Sequence, residues 1–160
     1  MSFKNLPVEI LGAIKLVKSS SYEETLHIFK NNFILTEDKG VYADFSTQGG
    51  NTFRLRLYKD DELLGIDFDI KSTDVEDLDE DEREDTVEEY FNLWQDLTRD
   101  FAKVFGKPQY SDGFGNKGYP EDTEAQWVSL WPIEKHRLTL EVHDAYDIFP
   151  QYISAVFRWA

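Results

Sequence analysis

Cysteine is absent from the 160-residue chain, which excludes a disulfide framework, a thiolate nucleophile and a thiolate metal site. Histidine occurs only at His27, His136 and His143. No two of these stand at a metal-ligand spacing, so a zinc centre has no signature here. No apolar run approaches the roughly 20 residues that span a bilayer. The opening MSFKNLPVEILGAIKLVKS lacks the cationic start, apolar stretch and small-residue cleavage site of a signal peptide. A cytoplasmic chain is the expectation. Cations are also scarce, with 17 Lys plus Arg against 32 Asp plus Glu and a net charge of −15. Such a field repels phosphate backbones and anionic lipid, so neither nucleic acid nor membrane is expected as a partner.

Hydrophobic residues make up 41% of the chain and aromatics 15%. That is too much for a disordered acidic protein, and the length suits one domain spanning residues 1–160 with a core of its own. The negative charge is concentrated. Residues 74–89, within DVEDLDEDEREDTVEEYF, hold eleven carboxylates and one cation, Arg83; the remainder has 21 acids, 16 Lys plus Arg and a net charge of −5.

Periodicity predicts an α+β fold. Asn5, then Leu6-Pro7, offers a helix cap, and Ile10, Leu11, Ile14 and Val17 share a face. Ser21-Tyr-Glu-Glu24 fits a capping box before a second helix, about Tyr22 to Asn32, with Leu26 and Phe29 inward. Residues 41–46, 52–59 and 63–71 alternate as strands, with Phe53, Leu55 and Leu57 on one face and Arg54 and Arg56 on the other. Leu64, Ile66, Phe68 and Ile70 point inward, and Asp67 and Asp69 point outward to pair with the arginines. Val87, Tyr90, Phe91, Trp94, Leu97, Phe101, Val104 and Phe105 form the strongest helical stripe, stopped by Gly106 and Pro108. Residues 126–132, 137–143 and 151–159 return to strands, with Trp159 on the last inward row. The expected order is ααβββαβββ: two three-stranded antiparallel meanders joined in one sheet, with the long amphipathic helix on one face. Sheet edges leave pairing into a homodimer open.

The acidic run is not an EF-hand loop, because it lacks the glycine and the alternating ligands. It reads as an exposed linker, about Asp74 to Asp81, leading into acids that favour a helix N-terminus. The same residues, Asp77, Asp79, Glu80, Asp81, Glu82, Glu84 and Asp85, are candidates for recognising a basic protein. GFGNKG (113–118) has the spacing of a dinucleotide loop but follows a helix and opens none, so no cofactor is expected from it. The long glycine-rich loop around it displays Tyr110, Phe114 and Tyr119, either as interface anchors or tucked over the sheet edge. His143, beside Asp144 and Asp147, is the one centre on which a small hydrolase could be drawn. No nucleophile elbow accompanies it, and a non-enzymatic role is expected.

The helix end FAKVFGKP, the aromatic loop, the strand QWVSLW, then RLTLEVHDAYD and YISAVFRW together resemble small acidic immunity proteins, the cytosolic antidotes to polymorphic or contact-delivered bacterial toxins. The resemblance covers about residues 85–160. It implies a stoichiometric toxin inhibitor with an acidic face for a basic toxin domain, and it assigns no individual residue a role. An acidic secretion chaperone for an effector protein is the alternative class.

Overall fold

The computed structural model describes residues 3, 5–18, 21–58, 63–146 and 149–159. Among these residues, three helices lie on one face of a single eight-stranded antiparallel sheet. Helix α1 (Leu6–Leu16) carries Pro7 in its first turn, where the missing N–H costs nothing; the Asn5 side chain, expected as the cap, makes no capping bond. At α2 (Tyr22–Asn32) the Ser21 hydroxyl accepts from the Glu24 amide at 3.3 Å. Helix α3 (Glu80–Phe105) is the longest element, and its inward row is Thr86, Tyr90, Trp94, Leu97 and Phe101.

The strands are β1 (Ile34–Asp38), β2 (Tyr42–Ser46), β3 (Thr52–Tyr58), β4 (Leu63–Thr73), β5 (Tyr110–Gly113), β6 (Trp127–Ile133), β7 (His136–His143) and β8 (Gln151–Trp159), in spatial order β1-β2-β3-β4-β8-β7-β6-β5. Each meander therefore has four strands, not three, and the order is ααββββαββββ. The two strands missing from the sequence pattern, β1 and β5, are the sheet's two edges. Every residue of β1 is exposed, and a register shift lies between Leu35 and Glu37. An edge strand is defined by its backbone pairing and carries no burial alternation. The halves join through β4 and β8, paired from Gly65↔Arg158 to Thr73↔Gln151.

Alternation in the paired strands builds the core. Phe45, Phe53 and Phe68 stack across β2, β3 and β4, and Phe29 of α2 meets Phe45 and Phe53 edge-on. Phe53 is central to this set, and Phe53→Ala would cost about 3–5 kcal/mol. Helix α3 covers β6, β7 and β8, and α1 packs beside it. The outward charges pair only partly as expected. Arg56 bonds Asp67 at 2.7 Å, but Arg54 turns to Asp44 of β2 with a two-pronged contact at 2.7 and 2.9 Å. Asp69 has no ion pair among the described residues, and loss of surrounding water raises its pKa. Residue 59, the last of the second expected strand, and the inward Trp159 side chain lie outside the described residues. No described helix is long and apolar enough to cross a membrane.

Candidate functional site

The acidic run folds as an anchored turn, a cap and the opening turns of α3. Asp79 and Glu82 close a capping box: the Asp79 carboxylate accepts from the Glu82 amide at 2.9 Å, and the Glu82 carboxylate accepts from the Asp79 amide at 3.0 Å. Asp74 accepts from the Glu76 amide at 3.0 Å, and Glu89 pairs with Lys71. Arg83 bonds the carbonyls of Leu78 and Glu76. Asp79 and Glu82, both candidates for recognition, are thus occupied in starting the helix. The expected linker is also shorter, because helix begins at Glu80. Asp77, Glu80, Asp81, Glu84, Asp85 and Glu88 are exposed, with no side-chain hydrogen bond or ion pair to any described residue.

These carboxylates border something the linear pattern does not show. Glu80, Arg83, Glu84, Val87, Glu88 and Phe91 of α3 line an open groove of about 600 Å³ with Trp127 of β6. Steps of three and four residues place this set on one stripe of the helix, beside the buried stripe. Val87 is 40% exposed. Phe91 and Trp127 are half-buried, with ring centroids 4.6 Å apart. Trp94 backs both rings, 5.8 Å from Phe91 and 5.5 Å from Trp127. The result is an apolar floor with an acidic rim. Val87 and Phe91 were legible as helix residues and Trp127 as a strand residue; only the tertiary fold joins them.

The aromatic loop divides between its two readings. Tyr110 donates to the Gly113 carbonyl at 2.8 Å, and Tyr119 donates to the Ala125 carbonyl at 2.7 Å, so both half-buried rings hold the loop together. Phe114, 62% exposed, packs edge-on against Tyr119 at 5.2 Å. Gly113 lies directly against the Trp127 ring, and a Cβ there would come within 3.0 Å of it. Phe114 instead joins Tyr119, Glu121, Thr123, Glu124 and Gln126 around a second shallow groove. The acidic run and the aromatic loop therefore approach the same β5–β6 margin without forming one groove.

The open face of the sheet holds a third feature, a cavity of about 490 Å³ whose lining includes Arg56, Asp67, Asp69, Glu141, His143 and Tyr152. Strand parity places Glu141 outward, yet it is only 4% exposed. Its carboxylate accepts from Thr139 at 2.6 Å, from Thr123 and, at 3.2 Å, from His143. Burial alone would raise its pKa, but these bonds outweigh burial and hold it down at about 2. His143 stacks on Tyr152, with centroids 4.6 Å apart. Its carboxylate partner is therefore Glu141; Asp144 is engaged by Gln151 at 2.9 Å, and Asp147 lies outside the described residues. No described His, Asp and Glu residues gather in a group of three that could hold a metal ion.

Family models, curated proteins and solved structures were compared with the chain, and no match was found among any of them.

Proposed function

We propose that this chain is a non-catalytic inhibitor of a basic protein, acting as a cytosolic immunity protein that neutralises a bacterial toxin domain. The observation that supports the reading is the α3 groove. Glu80, Glu84 and Glu88 form no ion pair with a described cation, and they border a partly exposed apolar floor at Val87, Phe91 and Trp127. Protein interfaces combine these elements: buried aromatic anchors supply affinity, and rim charges supply encounter rate and selectivity. A nuclease toxin carries cations where it receives phosphates, so the acidic rim would cover the same surface.

The test is inhibition of a basic toxin domain encoded beside this chain. Activity should fall to its floor at one equivalent, and Val87→Asp should abolish inhibition while leaving the circular dichroism spectrum intact. Undiminished inhibition by Val87→Asp would remove the groove from the interface. An acidic secretion chaperone would instead hold an unfolded effector segment and leave a folded toxin active. For the small-hydrolase alternative, Glu141 orients His143, but no described hydroxyl bonds the His143 ring. His143→Ala should leave inhibition unchanged.

A further inference from the structure

We infer that the α3 groove accepts an amphipathic α-helix of the partner, apolar on one side and basic on its flank. This rests on the reading that a basic protein docks there, and adds the form of its docking segment. The first argument is backbone satisfaction. The groove is walled by side chains of α3, whose peptide groups bond within the helix, and by Trp127 of β6. Strand β6 is itself paired on both sides, to β5 and β7. No wall presents an open strand edge. An extended segment would bring a row of peptide N–H and C=O groups against an apolar floor, whereas a helix satisfies its own.

The second argument is the layout of charge and apolar surface along α3. Glu80, Glu84 and Glu88 repeat every four residues, about 6 Å per step, and run parallel to the line from Val87 to Phe91. From Glu80 to Phe91 the strip is about 17 Å long, three turns of helix. A helix laid along it would present Lys or Arg at its own four-residue spacing, with Leu-sized side chains between them on the floor. Arg83, the cation nearest this row, is held toward the preceding turn by the Leu78 and Glu76 carbonyls at 3.1 and 3.3 Å. The row therefore stays available to cations from outside.

Two synthetic peptides of identical Leu/Lys composition test this. One is ordered with helical periodicity and the other with strict alternation; each is titrated into the full chain by calorimetry with circular dichroism. The helical peptide should bind at least about tenfold tighter and gain helicity on binding. Glu84→Lys with Glu88→Lys should weaken it about tenfold, and a helical peptide with Glu in place of Lys should recover binding to that variant. Equal or tighter binding of the alternating peptide overturns the inference. If a basic toxin domain is still inhibited through Val87 in that case, the docking reading survives and only the helical form is lost. If neither peptide nor any basic protein binds the groove, both fail.

Discussion

The Arg83 guanidinium donates to the backbone carbonyl of Glu76 at 3.3 Å, while its Nε reaches the Leu78 carbonyl at 3.1 Å. The cation of the acidic run therefore serves the turn that introduces α3. Arg83→Gln should cost about 0.5–1.5 kcal/mol in urea unfolding, the size of one ordinary hydrogen bond. It should also raise the rate of association with a basic protein at low salt, because the local field becomes more negative. A slower association would mean that Arg83 touches the partner.

The carboxylates of the run divide into two kinds, and substitutions should separate them. Asp79→Ala removes the capping bond to the Glu82 amide and should lower stability by about 1 kcal/mol. Glu84→Gln and Glu88→Gln lose no described hydrogen bond, so stability should stay within about 0.5 kcal/mol. Partner affinity should respond in the reverse order. Equal effects of all three on binding would show that only total charge matters.

Glu9 of α1 ties the turn between β2 and β3 to the helical layer. Its carboxylate accepts from the Asn51 side-chain amide and from the Gly49 backbone amide. A methyl group at Gly49 would meet the Glu9 carboxylate. Gly49→Ala should push that side chain away and cost about 1 kcal/mol. Because Glu9→Ala removes the same contacts, the two changes should be non-additive, with the double variant little worse than either single one. Chemical denaturation of the four proteins checks this.

Glu141 predicts an acid limb in stability. Its folded pKa of about 2 lies below its ordinary value of 4.5. The unfolded state therefore takes up the proton first, and stability is fully present above pH 4.5 and lost as pH falls toward 2. At about 1.4 kcal/mol per pH unit, the contribution is on the order of 3 kcal/mol. Glu141→Gln should be less stable than the parent at neutral pH, and the gap should shrink below pH 4.5. A gap independent of pH would mean that Glu141 contributes through packing alone.

How far these features were legible in the sequence depends on whether a position is decided locally. Phe53, Leu55, Ile66 and Phe68 alternate because one side of their strands is buried, and Tyr90, Trp94, Leu97 and Phe101 repeat along α3 because they cross that same core, whereas Val87 of the expected stripe is exposed. Both patterns could be read directly. Strands β1 and β5 could not, since ILTED has no buried side and YSDG is short and ends in glycine. Glu141 belongs by parity to the open face, but the loop carrying Thr123 closes over it. The groove itself required knowing that Trp127 lands against Phe91, a contact between residues 36 positions apart on separate elements. The acidic run announced itself plainly, yet its composition did not tell Asp79 and Glu82, spent on the helix cap, from Glu84 and Glu88 on the groove rim.

The most direct measurement is the stopped-flow association rate of this chain with a basic toxin domain, taken from low to high salt for the parent and for Glu84→Lys/Glu88→Lys. The docking account predicts a parent rate approaching 10⁸ M⁻¹s⁻¹ at low salt, falling steeply as ions screen the rim, and a variant slower by at least about tenfold at low salt with a flatter salt dependence. A parent rate that is flat in salt, or a variant indistinguishable from the parent, would contradict it.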